Sequence, residues 1–289
     1  MGTIGRGRSF ISAAATKQPA RFHCHGASTE KEQKYFFTSF VKLLIAAVLL
    51  PLCLNAQAPE SRHLAYGIPG KADAIVERTG YALGYIEQHE QAAWVIYVIS
   101  KNQILTKNAE RSNYSFRRDP AIPTGSASTS DYTRSGFDRG HLAPAADMAY
   151  SEETMRDSFY MTNISPQRPE FNRGIWKDLE AWARQTAIKE GMVVIVTGPV
   201  FPSQNAETIG KNKVTVPTHF YKIIYDLTPP QKMIGFLLPN KKSDKPLRVF
   251  AVSVDEIERL TRLDFFSEVP QQKQNKMEKT CSPTAWHGL

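Results

Sequence analysis

Short, nearly continuous apolar runs recur along the chain after residue 59, and they are rich in Val, Ile, Tyr and Phe. Runs of this kind are typical of buried β-strands, because branched and aromatic side chains pack well on a pleated surface. The run at 192–197, Met-Val-Val-Ile-Val-Thr, is strongly β-prone and is followed by Gly198 and Pro199. The pattern predicts strands at 91–99, 158–164, 192–197, 219–226, 232–238 and 247–253.

A helical period replaces the strand pattern between about residues 173 and 190. Apolar residues three to four positions apart occupy one face of a helix, and Gly191 is a suitable residue for its C-terminal end. We expect Trp176 and Trp182 to be core residues rather than platforms for stacking bases. The apolar stripe consists of Trp176, Leu179, Ala183 and Ala187.

Two shorter helices are indicated by their N-terminal residues. Ser151 is a predicted N-cap with the acidic Glu152 and Glu153 in the first turn. Asp255 is predicted to cap a second short helix over 256–262. Strands and helices are interspersed without a regular βαβ alternation, which predicts the α+β class.

Two polar stretches lack a clear periodicity. Residues 109–136 are rich in Arg, Ser, Thr, Asp and Pro, and we expect them to form a long functional loop. Residues 271–289 are polar and rich in lysine, and we expect a frayed C-terminal tail there. One folded domain is therefore expected over 59–270.

The first 58 residues differ from the rest of the chain. They contain seven Lys or Arg and two Asp or Glu, and they include an apolar core at 43–54. That core has about the length of a signal-peptide h-region, and the run Ala-Gln-Ala at 56–58 resembles a cleavage site. The interpretation that we favour from the sequence is an export signal, which would make the protein secreted or periplasmic. The other is an organelle transit peptide followed by an apolar anchor, which would place the protein in the mitochondrial intermembrane space or, if uncleaved, at a membrane.

Composition and charge narrow the choice of function only slightly. The 289 residues are 42% hydrophobic and 22% charged, which is ordinary for a globular protein and excludes a disordered or fibrous chain. The net charge of +8 falls to +3 over 59–289, where 29 basic residues face 26 acidic ones, so it is weak support for a nucleic-acid partner. Cys24 and Cys53 lie in the leader, so Cys281 would have no partner for an intramolecular disulfide after cleavage.

Two blocks of polar residues are the candidates for chemistry. The sequence contains no Walker or Rossmann glycine loop, no GxSxG elbow and no HExxH zinc helix. The first block is the run Asp138-Arg139-Gly140-His141. The second block comprises Asn163, the run Asn172-Arg173-Gly174, Glu180 and Arg184.

These residue types could together hydrolyse a phosphodiester. His141 can take a proton from water near neutral pH, and the amide oxygen of Asn172 is a hard ligand that suits Mg²⁺, Ca²⁺ or Mn²⁺. Glu180 lies eight residues beyond Asn172, which on a helix is about 80° of rotation and ~12 Å of rise. It could support the ion through a water, and Arg184 could reach a phosphate one turn further along.

The same residues have purely structural interpretations, which residue types alone leave open. The run 138–141 could be a turn with an internal Asp–Arg pair, a glycine at positive φ and a satisfied histidine. Asn172 could be only a helix N-cap, and Glu180 and Arg184 could form a surface ion pair at i, i+4. His219 lies inside a β-prone run and is expected to be structural.

The order and spacing of the motifs carry more information than the residue types. The chain reads FDRGHLAPAADM at 137–148, SFYMTNISPQ at 158–167 and FNRGIWKDLEAWAR at 171–184, with VTGPVF at 196–201 and VDEIERLTRLDFF at 254–266. Together these runs resemble the DNA/RNA non-specific endonucleases of the ββα-metal fold, a family that includes secreted bacterial nucleases and mitochondrial endonuclease G. The resemblance covers roughly 65–270 and implies a central antiparallel sheet flanked by helices.

The resemblance assigns roles to individual residues of the two blocks. His141 would be the general base that activates the attacking water. Asn172 would be the protein ligand directly on Mg²⁺, and Glu180 would hold one of the waters of the ion. Arg139 and Arg184 would contact or stabilise phosphate.

Two further residues follow from the same resemblance. Asn163 would support the site. The family also has an arginine ahead of the core motif, for which Arg111 is the best match and Arg117 is the alternative. Mn²⁺ or Ca²⁺ could substitute for Mg²⁺.

The implied activity is Mg²⁺-dependent hydrolysis of phosphodiester bonds in DNA and RNA, with products that carry 5′ phosphates. Binding mainly through phosphates would explain tolerance of many sequences and a loss of affinity with salt. The alternatives are a phosphodiesterase that acts on small nucleotides or lipids, and a non-catalytic nucleic-acid-binding module. The long polar stretch 109–136 favours a polymer, and a homodimer is compatible with the sequence.

Overall fold

A seven-stranded antiparallel sheet forms the centre of the computed structural model, which describes residues 62–289. The strand order is β1-β2-β3-β6-β9-β10-β11, and every neighbouring pair is antiparallel. The strands of this sheet are β1 (Ala74–Glu77), β2 (Ala82–Ile86), β3 (Gln91–Ser100), β6 (Met192–Val200), β9 (His219–Asp226), β10 (Lys232–Pro239) and β11 (Ala251–Val252). The predicted leader in residues 1–58 lies outside the described residues.

Two small sheets and six helices complete the described part of the chain. One small sheet pairs β4 (Asp138–His141) with β5 (Ile164–Gln167), and the other pairs β7 (Thr208–Ile209) with β8 (Val214–Thr215). The helices are α1 (Lys101–Leu105), α2 (Glu152–Ser158), α3 (Pro169–Asn172), α4 (Ile175–Glu190), α5 (Val254–Thr261) and α6 (Gln271–Met277). Strands and helices therefore combine as the predicted α+β architecture.

The central strands are apolar along their whole length because both faces of the sheet are covered. In β6, Val193 and Ile195 pack in the core on the α4 side, while Val194 and Val196 pack in the core on the α5 side. Side chains that alternate between two buried faces produce a continuous apolar run rather than an alternating one. This arrangement explains why 192–197 contains so many β-branched residues.

Helix α4 carries the predicted apolar stripe on its buried face. Trp176 is fully buried and its ring lies 5.3 Å from Phe171 and 5.6 Å from Phe220, measured between centroids. The helix begins at Ile175 rather than near 173, because α3 precedes it as a separate short turn. It ends at Gly191, which adopts a φ of 91° that favours glycine.

Ser151 accepts a hydrogen bond from the backbone N–H of Thr154, which confirms it as the N-cap of α2. The predicted strand at 158–164 is wrong, since this segment contains the end of α2 and a 3-10 turn at Met161–Asn163. The hydroxyl of Thr162 donates to Asp119, and Asn163 bonds to backbone atoms. Side-chain bonds of this kind compete with a strand ladder.

Two other predicted boundaries are also wrong. The segment 247–253 contains a 3-10 turn at Leu247–Phe250, and only Ala251–Val252 is a strand. Helix α5 is capped by Ser253, whose side chain accepts from Glu256, whereas Asp255 lies inside the first turn. The helix therefore starts two residues before the predicted 256–262.

The C-terminal segment is packed rather than frayed. Residues Gln271–Met277 form α6, and Met277 joins the core on the α5 side of the sheet. Trp286 is 4% exposed and packs edge-on against Trp182 of α4 with 5.9 Å between ring centroids. Within residues 62–289, no helix is both long enough and apolar enough to cross a membrane.

Candidate active site

Strand β4 presents two of the predicted site residues on one face. Arg139 and His141 are two positions apart, so their side chains point to the same side of the strand. A Cβ at Gly140 would lie 2.2 Å from atoms of the Gln167 side chain on β5, so only glycine allows this close pairing. The predicted alternative of a turn at 138–141 is therefore wrong, because the run is a paired strand.

His141 is buried between two aromatic rings. The residue is 8% exposed, and its ring lies 5.3 Å from Phe116 and 5.1 Å from Phe159. Burial, with a contribution from the charge of Arg111, lowers the pKa of His141 to about 3. Its Nε2 has no hydrogen-bond partner among the described residues, as expected for a group that acts on a bound molecule.

Asn172 is oriented by Asp138. Its Nδ2 donates to Asp138 Oδ2 over 2.9 Å, and Arg173 donates two further hydrogen bonds of 2.6 and 2.8 Å to the same carboxylate. The bond from Nδ2 engages the amide nitrogen of Asn172, and the amide oxygen is left without a protein partner within residues 62–289. Asn172 is the last residue of α3, so its interpretation as a helix N-cap is wrong.

Arg184 is fixed by a buried carboxylate. Its Nη1 lies 2.8 Å from Oδ1 of Asp147, which is 1% exposed and also accepts a 2.8 Å hydrogen bond from the hydroxyl of Tyr97. Among the described residues, Arg184 pairs with Asp147, so the alternative of a surface ion pair between Glu180 and Arg184 is wrong. Asp147 places the guanidinium by charge and by a hydrogen bond, and the hydroxyl of Tyr97 holds the carboxylate of Asp147.

Glu180 is partly buried and shares its surroundings with a second buried charge. Burial raises the pKa of Glu180, and the positive charge of Lys222 opposes that rise. Asn172 and Glu180 lie on two helices, since Gly174 separates α3 from α4. The sequence predicts the rotation and rise between the two residues from one continuous helix, and that prediction is therefore wrong.

Lys222 was not predicted as a site residue. It is fully buried in the middle of β9, and its Nζ lies 4.8 Å from the centre of the Trp176 ring with no hydrogen-bond partner in the described chain. Burial lowers the pKa of Lys222, and Glu180 and Asp147 oppose that change. A lysine inside the apolar run 219–226 was the available signal, because a buried strand rarely contains an unpaired charge.

The structure distinguishes Arg111 from its alternative, Arg117. Arg111 lines the same cavity as His141. The guanidinium of Arg117 instead lies 4.1 Å from the ring centre of Tyr160 and donates to the backbone oxygen of Arg156. Of these two arginines, Arg111 is therefore the one that lies at the cavity.

Asn163 supports the segment that follows His141 and does not line the cavity. It is fully buried, its Oδ1 accepts from the N–H of Ala143 over 2.8 Å, and its Nδ2 donates to the backbone oxygens of Ala143 and Ser158. His219 also lies away from the cavity, with its Nδ1 3.1 Å from the hydroxyl of Thr218.

The remaining predicted residues surround one open cavity of about 420 Å³. Positive side chains dominate its lining, and Lys177 and Arg173 add to the three predicted arginines. Such a surface attracts phosphates. The predicted residues along the cavity are Arg111, Arg139, His141, Asn172, Glu180 and Arg184.

The donor atoms at this cavity fit a hard divalent cation. The amide oxygen of Asn172 and the carboxylate of Glu180 are oxygen ligands of the type that Mg²⁺, Mn²⁺ and Ca²⁺ prefer. Only one amide and one carboxylate are offered, which suits an ion that keeps most of its waters.

The chain is similar to known nucleases in sequence and in fold. The mitochondrial nuclease of Saccharomyces cerevisiae is 36% identical over 241 residues, which cover 76% of this chain and 73% of that protein. Human mitochondrial endonuclease G is 35% identical over 218 residues, covering 71% of this chain and 73% of that protein. A solved structure of the EndoG/EndoGI complex matches with a TM-score of 0.69 and 31% identity, over 73% of this chain and 93% of that chain.

The fold and the sequence point to the same family. The likeness to the EndoG structure confirms the ββα-metal nuclease fold. A sequence model of the DNA/RNA non-specific endonucleases matches residues 59–272, which is most of the chain. The chain therefore belongs to the DNA/RNA non-specific endonuclease family and is a nuclease.

Proposed function

We propose that the chain hydrolyses phosphodiester bonds in DNA and RNA with Mg²⁺ as its metal ion and His141 as its general base. The observation that carries this proposal is the buried imidazole of His141, whose Nε2 has no partner among the described residues, beside a cavity lined by arginines. An imidazole with a free Nε2 can accept a proton, and the arginines can bind a phosphate next to it.

Asn172 and Glu180 are the residues that would hold the metal. The amide oxygen of Asn172 would bind the ion directly, and the carboxylate of Glu180 would hold one of its waters. When bound there, Mg²⁺ would supply positive charge that offsets the negative charge of the phosphate. Asp138 fixes the amide of Asn172, and Lys222 provides positive charge near Glu180.

The chemical step follows from the remaining residues. Arg111, Arg139 and Arg184 bind the oxygens of the scissile phosphate and stabilise the charge that grows on them. His141 removes a proton from a water, whose oxygen forms a bond to phosphorus as the bond from phosphorus to the 3′ oxygen breaks. The leaving 3′ oxygen takes a proton from a solvent water, and the protonated His141 returns its proton to solvent. The products are a 5′ phosphate and a 3′ hydroxyl.

Low sequence preference follows from the chemistry of the cavity. Its charged lining matches the phosphate backbone, which is the same for every base sequence. The segment 109–136 is irregular apart from short 3-10 turns, and it supplies Arg111 to the cavity. A long polar segment of this kind suits a polymer better than a small nucleotide.

A nuclease assay on the whole chain tests this proposal. Supercoiled plasmid and total RNA are incubated with Mg²⁺, and parallel samples contain EDTA. We expect both substrates to be degraded only with the metal. We also expect polynucleotide kinase to add a labelled phosphate to the 5′ ends of the fragments only after phosphatase treatment, because the fragments carry 5′ phosphates. Turnover of bis-p-nitrophenyl phosphate without plasmid cleavage would indicate a small-molecule phosphodiesterase, and binding without cleavage would indicate a non-catalytic module.

We propose that residues 59–270 are the endonuclease domain and that residues 1–58 direct the chain to its compartment. The relatives named mitochondrial support the mitochondrial alternative over secretion or the periplasm. Fusion of residues 1–58 to a fluorescent protein, imaged in cells with stained mitochondria, tests this. Fluorescence in the medium or periplasm would favour the export signal instead.

A further inference from the structure

Three carboxylates meet where helix α5 contacts the end of helix α6. Asp255 and Glu258 are three positions apart on α5 and so share a face, and Glu278 follows the last residue of α6. One oxygen of each carboxylate lies within 4.8 Å of an oxygen of the other two. The backbone N–H of Asp255 donates to the backbone oxygen of Glu278, so the two elements are joined at this point.

Glu278 is the residue that makes this cluster unusual. It is 5% exposed, and its Oε1 is buried without a hydrogen-bond partner among the described residues. A buried carboxylate oxygen with no donor costs free energy, and a nearby negative charge adds to that cost. The carboxylate of Glu278 lies beside those of Asp255 and Glu258, so its unpartnered buried oxygen points to a positively charged species.

No basic side chain of residues 62–289 supplies that charge. None of the three carboxylates forms an ion pair with a lysine, arginine or histidine, and Arg259 on α5 pairs with Glu256 instead. The charged groups that act on Glu278 are the acidic Glu258, Asp255 and Asp264. The cluster thus has an uncompensated negative charge.

We propose that Asp255, Glu258 and Glu278 bind a Ca²⁺ ion that joins α5 to the C-terminal end of α6. Ca²⁺ binds oxygen at about 2.3–2.6 Å, so two oxygens on one ion lie at most ~5 Å apart, and the observed separations meet this limit. Asp255 is exposed, which leaves room for waters to complete the coordination. Mg²⁺ fits less well, because it keeps several waters and demands near-ideal octahedral geometry.

This site is structural and separate from the cavity that contains His141. None of its three residues lines that cavity. The ion would hold α6 in place, and through it the C-terminal segment in which Trp286 packs on α4. A proton is the competing occupant, because burial and the neighbouring carboxylates raise the pKa of Glu278 to about 8.

Thermal unfolding of the whole chain tests the proposal. The Asn172→Ala variant is used as the background so that calcium at the catalytic cavity does not contribute. After EDTA treatment, CaCl₂ at 100 times its dissociation constant is expected to raise the Tm by about 5–10 °C. The same concentration of MgCl₂ is expected to raise it less.

Adding Glu278→Gln to this background is expected to abolish the calcium response. The doubly substituted chain should be at least as stable as the background in EDTA, because the substitution removes a buried negative charge, so a lost response would not reflect misfolding. Glu256→Gln is the matched control on the same helix and should leave the response intact.

Either of two results would overturn the proposal. One is a calcium response that persists in the chain carrying Glu278→Gln. The other is an Asn172→Ala chain whose Tm does not respond to CaCl₂. A Tm in EDTA that rises as the pH falls from 8.5 to 6.5 would then assign a shared proton to the cluster instead.

Discussion

Two buried side chains at or beside the candidate site have a polar atom without a partner among the described residues. Nε2 of His141 and Nζ of Lys222 are both buried without a hydrogen bond in the described chain. Folded proteins rarely leave such groups unsatisfied, so each indicates an interaction beyond the protein or with a local charge. Asn172 and Arg184 differ from these two residues, because each has a protein partner. Asn172 donates a hydrogen bond to Asp138, and Arg184 donates one to Asp147.

The charge of Lys222 is expected to act through Glu180. Lys222→Met keeps an unbranched side chain of nearly the same length but removes the positive charge that opposes the rise in the pKa of Glu180. Glu180 then takes up a proton at higher pH. At limiting Mg²⁺, the acid limb of the activity profile should move to higher pH and the Mg²⁺ requirement should increase several-fold, while Lys211→Met, an exposed control, should change neither. An unchanged profile in Lys222→Met would show that Lys222 only fills space.

The lowered pKa of His141 predicts an unusual pH profile. A general base acts when it is unprotonated, so a pKa below the ordinary value of 6.5 moves the acid limb to lower pH. At saturating Mg²⁺, kcat/KM is expected to stay nearly constant from pH 8 down to pH 6. A loss of half the activity near pH 6.5 under these conditions would mean that the imidazole is not buried as the structure has it.

At the scale of secondary structure, the site depends on three elements that approach each other. Strand β4 carries Arg139 and His141, helix α3 ends at Asn172, and helix α4 carries Glu180 and Arg184. Gly140 allows β4 to lie close to β5, and the break at Gly174 turns α4 away from α3. The β4–β5 pairing and the packing of α4 on the central sheet bring these residues together, although they are far apart in sequence.

The packed C-terminal segment gives a prediction for the stability of α4. Trp286→Ala removes a buried ring that contacts Trp182, and the loss is expected to be about 3–5 kcal/mol, the usual cost of deleting a buried aromatic side chain. Urea unfolding measures this change. The exposed neighbour His287 provides the control, since His287→Ala should cost below about 0.5 kcal/mol. Equal stability of the two variants would show that the segment is frayed, as its composition predicts, and that Trp286 does not pack on α4.

Periodic elements were predictable from the sequence, and elements set by distant contacts were not. The run 219–226 became β9 with the predicted bounds because its pattern is local. Residues 158–164 were predicted wrongly because Thr162 bonds to Asp119, which is 43 positions away. Trp286 likewise depends on Trp182, a contact that no local pattern reveals.

The same distinction holds for the candidate site. His141 and Asn172 were identified from the two polar blocks of the sequence, and both line the cavity. Lys222 was missed because its position in an apolar run indicated only a strand. Its nearness to Glu180 depends on the pairing of β9 and the packing of α4, which sequence spacing does not specify.

At the scale of the whole molecule, charge is concentrated rather than abundant. The net charge over 59–289 is only +3, yet four arginines and a lysine line one cavity with a single carboxylate. Local field rather than net charge is therefore expected to govern the approach of a nucleic acid.

Salt dependence of substrate binding measures this concentration of charge. Removing one phosphate contact lowers the slope of log K against log salt by about 0.9 for duplex DNA. Lys177→Ala at the cavity is expected to do so, whereas Lys189→Ala, exposed near the far end of α4, should leave the slope unchanged. Equal slopes in both variants would indicate that DNA does not pass over this cavity.

The most direct test of the proposed mechanism is the rate of plasmid hydrolysis by His141→Ala at saturating Mg²⁺. Loss of a general base typically costs about 10²–10⁴-fold in rate, and we expect a loss in this range with an unchanged Tm and partial recovery on addition of imidazole. His219→Ala, which alters a histidine away from the cavity, should retain nearly full activity. A His141→Ala chain that keeps more than a tenth of the wild-type rate would contradict the assignment of His141 as the base.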